Sequence, residues 1–283
     1  MSQNTAAEPE LVGIAVLAAQ PSGAAVGVVD DATQGSAILL GKRVLVPPAD
    51  PGGQCEVCRR GGAAVCAFAK RRDATAKRIR VTSRWVVALD HGLDLPIPAA
   101  AAVPGDVATA YTLYARTGLG PREPVVVVGT NAITRFLVEI LRAKGITPAV
   151  VVGRDAPPHW RDWLLGKGAA VVDDSSDLGT AINAAIAAQG TGNRPWRVIA
   201  TEPAAITVAA SLAGARATLT VLADGAVPAL PGDILAREVT IIGVAGPHPD
   251  LVVEAAALCV KGDIDLAGGV GDDPTRARVI TFT

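Results

Sequence analysis

From Pro124 onward, short and wholly apolar runs of strand length alternate with segments of helical periodicity. That alternation constrains the fold more than any other feature of the sequence. PVVVVG has no polar alternation, as expected for a strand covered on both faces. ITRFLVEILRAKG follows, with apolar residues at helical spacing and Gly145 to close it. TPAVVVGRD, AAVVDD, WRVIATE, ATLTVLADG and VTIIGVAG repeat the strand pattern. WRDWLLGKG, DLGTAINAAIAAQG and ITVAASLAGAR read as the helices between them. Strands alternating with helices in this way predict an α/β protein with a Rossmann-type, doubly wound parallel sheet. With only nine aromatic residues in 283, its core is expected to pack mainly Val, Leu, Ile and Ala.

The grammar before Pro124 is different. Residues 1–10 read as a loose tail. LVGIAVLA, AAVGVV, AILL and RVLVPP then follow as short β-like runs broken by Gly, Asp and Pro, which suits an antiparallel, barrel-like unit. Near the end, DLVVEAAALCVKGDIDL reads as a helix with Cys259 on its apolar side, and the chain closes on a strand-like RVITFT. The expected division is therefore 11–121 together with 247–283 for one domain, and 122–246 for the other.

A net charge of -1 gives no reason to expect nucleic acid or a membrane surface as partner, and no apolar run reaches the ~20 residues of a bilayer span. The N-terminus lacks a basic stretch, so it does not read as a signal peptide. Three of the four cysteines, Cys55, Cys58 and Cys66, bunch together. That points to a reduced metal cluster rather than a disulfide framework, and to a cytoplasmic setting. Nine Lys or Arg against one acid, Asp73, fall between Arg59 and Arg84. They read either as a solvated face or as a patch that meets the phosphates of a cofactor or substrate.

The first strand–turn–helix unit, VVVVGTNAITRFLVEILRAKG, stands where a dinucleotide fingerprint G-x-G-x-x-G would be. Gly129 keeps the first glycine, but Asn131 and Thr134 occupy the other two places. Asn131 is expected to hold a positive-φ turn while crowding the phosphates, and Thr134 to push the helix outward. The backbone of Gly129, Thr130, Asn131, Ala132 and Ile133 would form whatever anion nest survives. The second strand ends on Gly153 and Arg154, where an acid would accept ribose hydroxyls and an Arg suits a 2′-phosphate. NADP(H) is thereby favoured over NAD(H) if a dinucleotide binds.

The loop GGQCEVCRRGGAAVC, with GKRVLVPP before it and RWVVALDHGLDLP after it, resembles the structural-zinc lobe of the zinc-type medium-chain alcohol dehydrogenases. The likeness runs on through AAAAVPGDVATAYTLYARTGL and the nucleotide domain, from about Gly41 to about Asp265. It implies a reduced GroES-like β-barrel domain beside the Rossmann-type one. Cys55, Cys58 and Cys66 match the last three positions of C-x2-C-x2-C-x7-C, and Gly52 stands at the first. Structural zinc would thus have three thiolates, with water or a carboxylate such as Asp50 as the fourth ligand. The family's catalytic zinc takes a Cys and a His from early segments. Here no Cys precedes Cys55, no His precedes His91, and Ser22-Gly23-Ala24 stands where G-H-E would be. The third ligand position falls on Asp106, so catalytic zinc is not expected. Arg216, Ala217 and Ala223 replace glycines of the later strand, and the C-terminal part is shorter than the family's.

The resemblance implies an NAD(P)-dependent oxidoreductase acting on an alcohol, a carbonyl or an activated alkene without catalytic zinc, forming a homodimer with VTIIGVAG at the sheet edge. The competing reading is a non-catalytic relative that binds a ligand or serves as a complex subunit. His91, His159 and His248 read as surface or turn residues, Tyr111 and Tyr114 as packing residues, and no proton donor stands out.

Overall fold

The computed structural model describes residues 10–60, 62–89, 95–120, 123–154, 156–175, 177–188, 197–223 and 228–282. The tail before residue 10, His91 and Asp155 lie outside the described residues. The chain opens with β1 (Leu11–Ala19), β2 (Ala25–Ala32), β3 (Arg43–Val46), β4 (Ala49–Asp50), β5 (Lys70–Arg71), β6 (Arg78–Thr82) and β7 (Val87–Ala88). An antiparallel sheet runs β1-β2-β3-β7, with β6 also on β1, while β4 and β5 form a separate ribbon. Alternation gives this sheet two faces. Val12, Ile14 and Val16 pack with Val29, Val44, Val46 and Val81 on one side. A register shift between Val16 and Ala18 reverses the parity. Ala18 therefore joins Val26 and Leu45 in the core shared with the rest of the chain.

AILL is not a strand. Gln34–Leu39 is a 3-10 turn, with Ile38 76% and Leu40 56% exposed. The run is apolar, but no strand pairs with it, and composition alone misled the sequence reading.

Between the two sheets lies one continuous helical segment. It comprises α2 (Ile97–Ala102) after the loop helix α1 (Glu56–Arg59), then a π turn over Val103–Val107, then α3 (Ala108–Thr117), ended by Gly118 in left-handed conformation at φ 61°. Ala100, Ala101, Ala102, Val103 and Val107 are wholly buried. The segment packs on β1 and β2 at one end and on β12 and β13 at the other.

The second half alternates as expected: β8 (Val125–Val128), α4 (Ala132–Ala143), β9 (Ala149–Val152), α5 (Pro158–Gly166), β10 (Ala170–Asp173), α6 (Leu178–Ala188), β11 (Arg197–Ala200), α7 (Ile206–Leu212), β12 (Thr218–Leu222) and β13 (Thr240–Val244). These strands form one parallel sheet in the order β10-β9-β8-β11-β12-β13, the doubly wound order in which the chain turns back beside its first strand. Every residue of β8 and β9 is buried. Val125, Val127, Val150 and Val152 meet α3, α4, α5 and the later α8 (Val252–Val260) on one face. Val126, Val128, Val151 and Val198 meet α6 and α7 on the other. VTIIGVAG is the edge strand β13, with Thr240, Ile241 and Gly243 exposed.

After α8 and α9 (Leu266–Gly269), the short β14 (Ile280–Thr281) returns to the antiparallel sheet beside β1, pairing Ala18 with Thr281. No helix among the described residues is long and apolar enough to cross a membrane.

Phe136 on α4 is fully buried in the larger core and lies against Gly269 of α9, where a Cβ would sit 2.6 Å from its ring. Phe136→Ala is expected to cost about 3–5 kcal/mol of stability, read as a lowered urea midpoint at unchanged m-value.

Candidate functional site

In a doubly wound sheet, ligands bind at the carboxyl ends of the strands, where successive connections leave in opposite directions. Here that place lies between β8 and β11. Gly129 follows β8 with φ +143°, and a Cβ on it would overlap Thr201 Oγ1 just past β11. Glycine is thus required by both conformation and contact.

The next two fingerprint positions are rebuilt in polar side chains. Asn131 is extended at φ -143°, not turned through positive φ, and it caps α4: its Oδ1 accepts from Thr134 N at 2.8 Å, and its Nδ2 donates to Thr201 O at 3.1 Å. Thr134 is fully buried, and its hydroxyl meets Asn131 Oδ1 at 3.0 Å and Thr201 Oγ1 at 2.6 Å. Both side chains turn toward Thr201, just past β11. Ala132 and Ile133 begin α4 behind this turn, and Ile133 lines the cavity described below.

A residue that sequence reasoning passed over also enters here. Glu202, half-buried at the end of β11, accepts from Thr130 N through Oε1 at 3.0 Å. Its place after a parallel strand adjacent to β8 was the available signal. At the end of β9, Gly153 is exposed. Arg154 is exposed beside it, with Nε donating to Asp174 O at 3.2 Å.

A cavity of about 480 Å³ opens between the two sheets. Its walls include Pro47, Pro48, Val65, Leu222 and Pro247 together with the polar Ser22, Arg71, Asp106 and Thr109. Asp106 sits on the π turn, a wide-turn geometry frequent at functional sites. Gln20, 2% exposed, ends β1 and turns both halves of its amide on Asp106: Nε2 donates to Oδ2 at 2.6 Å, and Oε1 accepts from the backbone N at 3.3 Å. Burial pushes the Asp106 carboxyl up to about 6 from 3.8, and the Gln20 hydrogen bond offsets part of that rise. The sequence reading missed Gln20; its one signal was an amide ending an apolar strand before Pro21-Ser22-Gly23.

Cys55, Cys58 and Cys66 do come together. Their sulfurs lie within 4.8 Å of one another, with Cys55 Sγ 3.4 Å from Cys58 Sγ and 3.8 Å from Cys66 Sγ. Among the described residues this is the one group of three or more His, Cys, Asp or Glu side chains placed to hold a metal. Asp50 is not part of it, since its Oδ2 accepts from Thr82 N at 2.9 Å and it faces the buried Arg72. Burial raises the Cys58 thiol to about 11. Burial acts the same way on Cys66, but the Gly52 and Phe68 backbone and the neighbouring thiols bring it below its ordinary value.

The remaining candidates are structural. His159 Nε2 pairs with Asp273 at 2.9 Å on the surface, Tyr111 and Tyr114 pack ring to ring at 5.7 Å, and the buried Cys259 thiol is pushed up to about 12. Much of the basic segment is accounted for locally: Arg78 and Arg80 pair with Asp30 and Asp31, Arg59 and Arg60 with Glu56, and Arg84 lies over Trp85. Among the described residues, Arg71 is the one Lys or Arg of that segment that lines the cavity.

These two sheets, joined by a buried helix around a cleft, make the fold of the zinc-type alcohol dehydrogenases. The resemblance read from the cysteine loop and the βαβ succession holds at the level of architecture. One similar structure, described as a short-chain alcohol dehydrogenase from E. coli CFT073 complexed with NADH, has a TM-score of 0.79 at 17% identity, over 99% of this chain and 94% of that one. The D-arabinose dehydrogenase of Sulfolobus solfataricus gives 0.77 at 19%, over 97% and 93%. A zinc-binding dehydrogenase of Sinorhizobium meliloti 1021 bound to NADP gives 0.74 at 21%, over 93% and 84%. No family model matches the sequence, and no curated protein matches it.

The raised Asp106 carboxyl sets a pH signature. A native pKa above the unfolded one means that the native state binds more protons between about pH 4 and 6, so stability falls as pH rises through that window. Asp106→Asn is neutral throughout. It is expected to match the parent near pH 4 and to gain about 1–3 kcal/mol on it by pH 7 in urea titrations. An unchanged gap across that range refutes the assignment.

Proposed function

We propose that the chain is an NADP(H)-dependent oxidoreductase of the alcohol dehydrogenase type, working without catalytic zinc on an alcohol, a carbonyl or an activated alkene. The observation that carries this reading is Asp106, a carboxyl on the wall of the cavity, held by Gln20 and pushed up to about 6 by burial. Such a group is suited to general acid–base work near neutrality. A catalytic zinc needs about three protein ligands, and among the described residues Asp106 belongs to no group of three or more His, Cys, Asp or Glu placed to hold a metal.

The backbone of Gly129, Thr130, Asn131, Ala132 and Ile133 would hold the diphosphate at the start of α4. Arg154, beside a Gly153 that offers no carboxylate to a ribose, favours a 2′-phosphate. A bound NADPH supplies hydride. For reduction of a carbonyl, Asp106 gives its proton to the substrate oxygen and is reprotonated from solvent, while Gln20 keeps the carboxyl in place. The mixed cavity wall, with prolines and Leu222 beside Arg71, Asp106 and Thr109, suits a small substrate that carries a polar group.

The cysteine cluster fits structural zinc. Zn–S bonds of about 2.3 Å in a tetrahedron set sulfurs about 3.8 Å apart, close to the 3.4 and 3.8 Å found at Cys55. Water would complete the set.

The second reading, a non-catalytic ligand-binding relative, is favoured by one observation: the Glu202 carboxylate already occupies the Thr130 amide. Fluorescence titration with NADPH separates the two. The first expects saturable binding with a changed nicotinamide emission, and absence of binding at millimolar NADPH leaves the second. Metal analysis of freshly purified protein is expected to give close to one equivalent of zinc, lost in Cys58→Ser. Under a tenth of an equivalent in the parent rules the zinc site out.

A further inference from the structure

The carboxylate of Glu202 stands where an anion-binding turn would receive its ligand. The end of β11 is fastened to the end of β8: Thr201 N donates to Val128 O at 3.1 Å, and Thr201 Oγ1 donates to the same oxygen at 3.2 Å. The residue that follows is therefore held over the turn at Gly129. Glu202 is itself extended, at φ -153° and ψ 153°, and its carbonyl accepts from Ala205 N at 3.1 Å, so its backbone is fixed on both sides. From there Oε1 reaches Thr130 N at 3.0 Å and lies 3.2 Å from where a Cβ on Gly129 would stand.

A helix N-terminus with free amides favours negative charge. In this protein a negative side chain of the chain itself sits beside the first turn of α4. A diphosphate arriving at the same turn would bring further negative charge to within a few ångströms of it. Either the carboxylate must leave, giving up its hydrogen bond to Thr130, or the two must coexist at a half-buried site where solvent screens them poorly.

We propose that Glu202 is a specificity-determining residue, a built-in competitor of the cofactor diphosphate that keeps the affinity of this turn for phosphate-bearing nucleotides low. The proposal rests on the reading of the turn as a dinucleotide site. It adds that discrimination is set by a charge contributed from the neighbouring strand, not by the loss of the two glycines, since Asn131 and Thr134 bond to Thr201 while Glu202 takes the Thr130 amide.

The test is Glu202→Gln, which keeps an oxygen to accept from Thr130 N and removes the charge. Binding of NADPH, ADP and adenosine is measured by calorimetry at one fixed ionic strength for parent and variant, with thermal melts to establish that both are folded. The variant is expected to bind NADPH and ADP at least tenfold tighter, about 1.4 kcal/mol, and to bind adenosine, which carries no phosphate, as the parent does. Equal NADPH affinity in the two proteins overturns the competitor role and leaves the cofactor assignment standing. An adenosine gain as large as the ADP gain means a generally loosened site and also overturns it. Should neither protein bind NADPH, the competitor and the cofactor assignment fall together.

Discussion

Two sheets of opposite character are held together by one buried helical segment, and the cleft exists because of how that segment is built. Residues 97–107 are almost all small or β-branched apolar residues, and most are buried. Alanine lets the antiparallel sheet approach closely on one side, and the same cluster continues into the packing of α3, α4 and α8 on the parallel sheet. The π turn falls in the middle of this segment and carries Asp106. A carboxyl placed in that packed wall must find a partner or become hard to ionise. It does both, taking Gln20 as partner while its pKa rises to about 6.

The dinucleotide turn shows how a glycine motif can be replaced without loss of the fold. Only Gly129 is irreplaceable, because Thr201 fills the space a side chain would need. At the other two positions, the small residue's role in helix–strand packing is taken over by a buried polar network of Asn131, Thr134 and Thr201, in which each oxygen has a partner. A buried network of this kind is stable only when fully satisfied. Substituting one member alone would leave a hydroxyl or amide stranded. Glu202 joins the same neighbourhood from β11, so the region that would meet a ligand is set by side chains of two adjacent strand ends.

The cysteine loop follows a simpler rule. Cys55 and Cys58 are brought together by a single helical turn, with Cys55 capping α1 through its sulfur. Cys66 arrives from the next 3-10 turn. Local geometry suffices to gather three sulfurs, which is why their spacing was informative. Asp50 was a poor guess for a fourth ligand because the buried Arg72 and the Thr82 amide claim it first.

Pattern and spacing were enough for the parallel sheet, its edge strand, the helices between its strands and the cysteine cluster. These depend on periodicity and on contacts within a dozen residues, which composition and spacing record directly. They failed at AILL, where an apolar run without a partner strand stays exposed. The chemistry of the cleft comes from contacts between distant segments. Gln20 meets Asp106 across 86 residues, and Thr130 meets Glu202 across 72. Each pairing depends on sheet order, on register and on a bulge that reverses the parity of β1. None of these leaves a mark in the local sequence, because a one-residue slip would turn the same side chains to the opposite face.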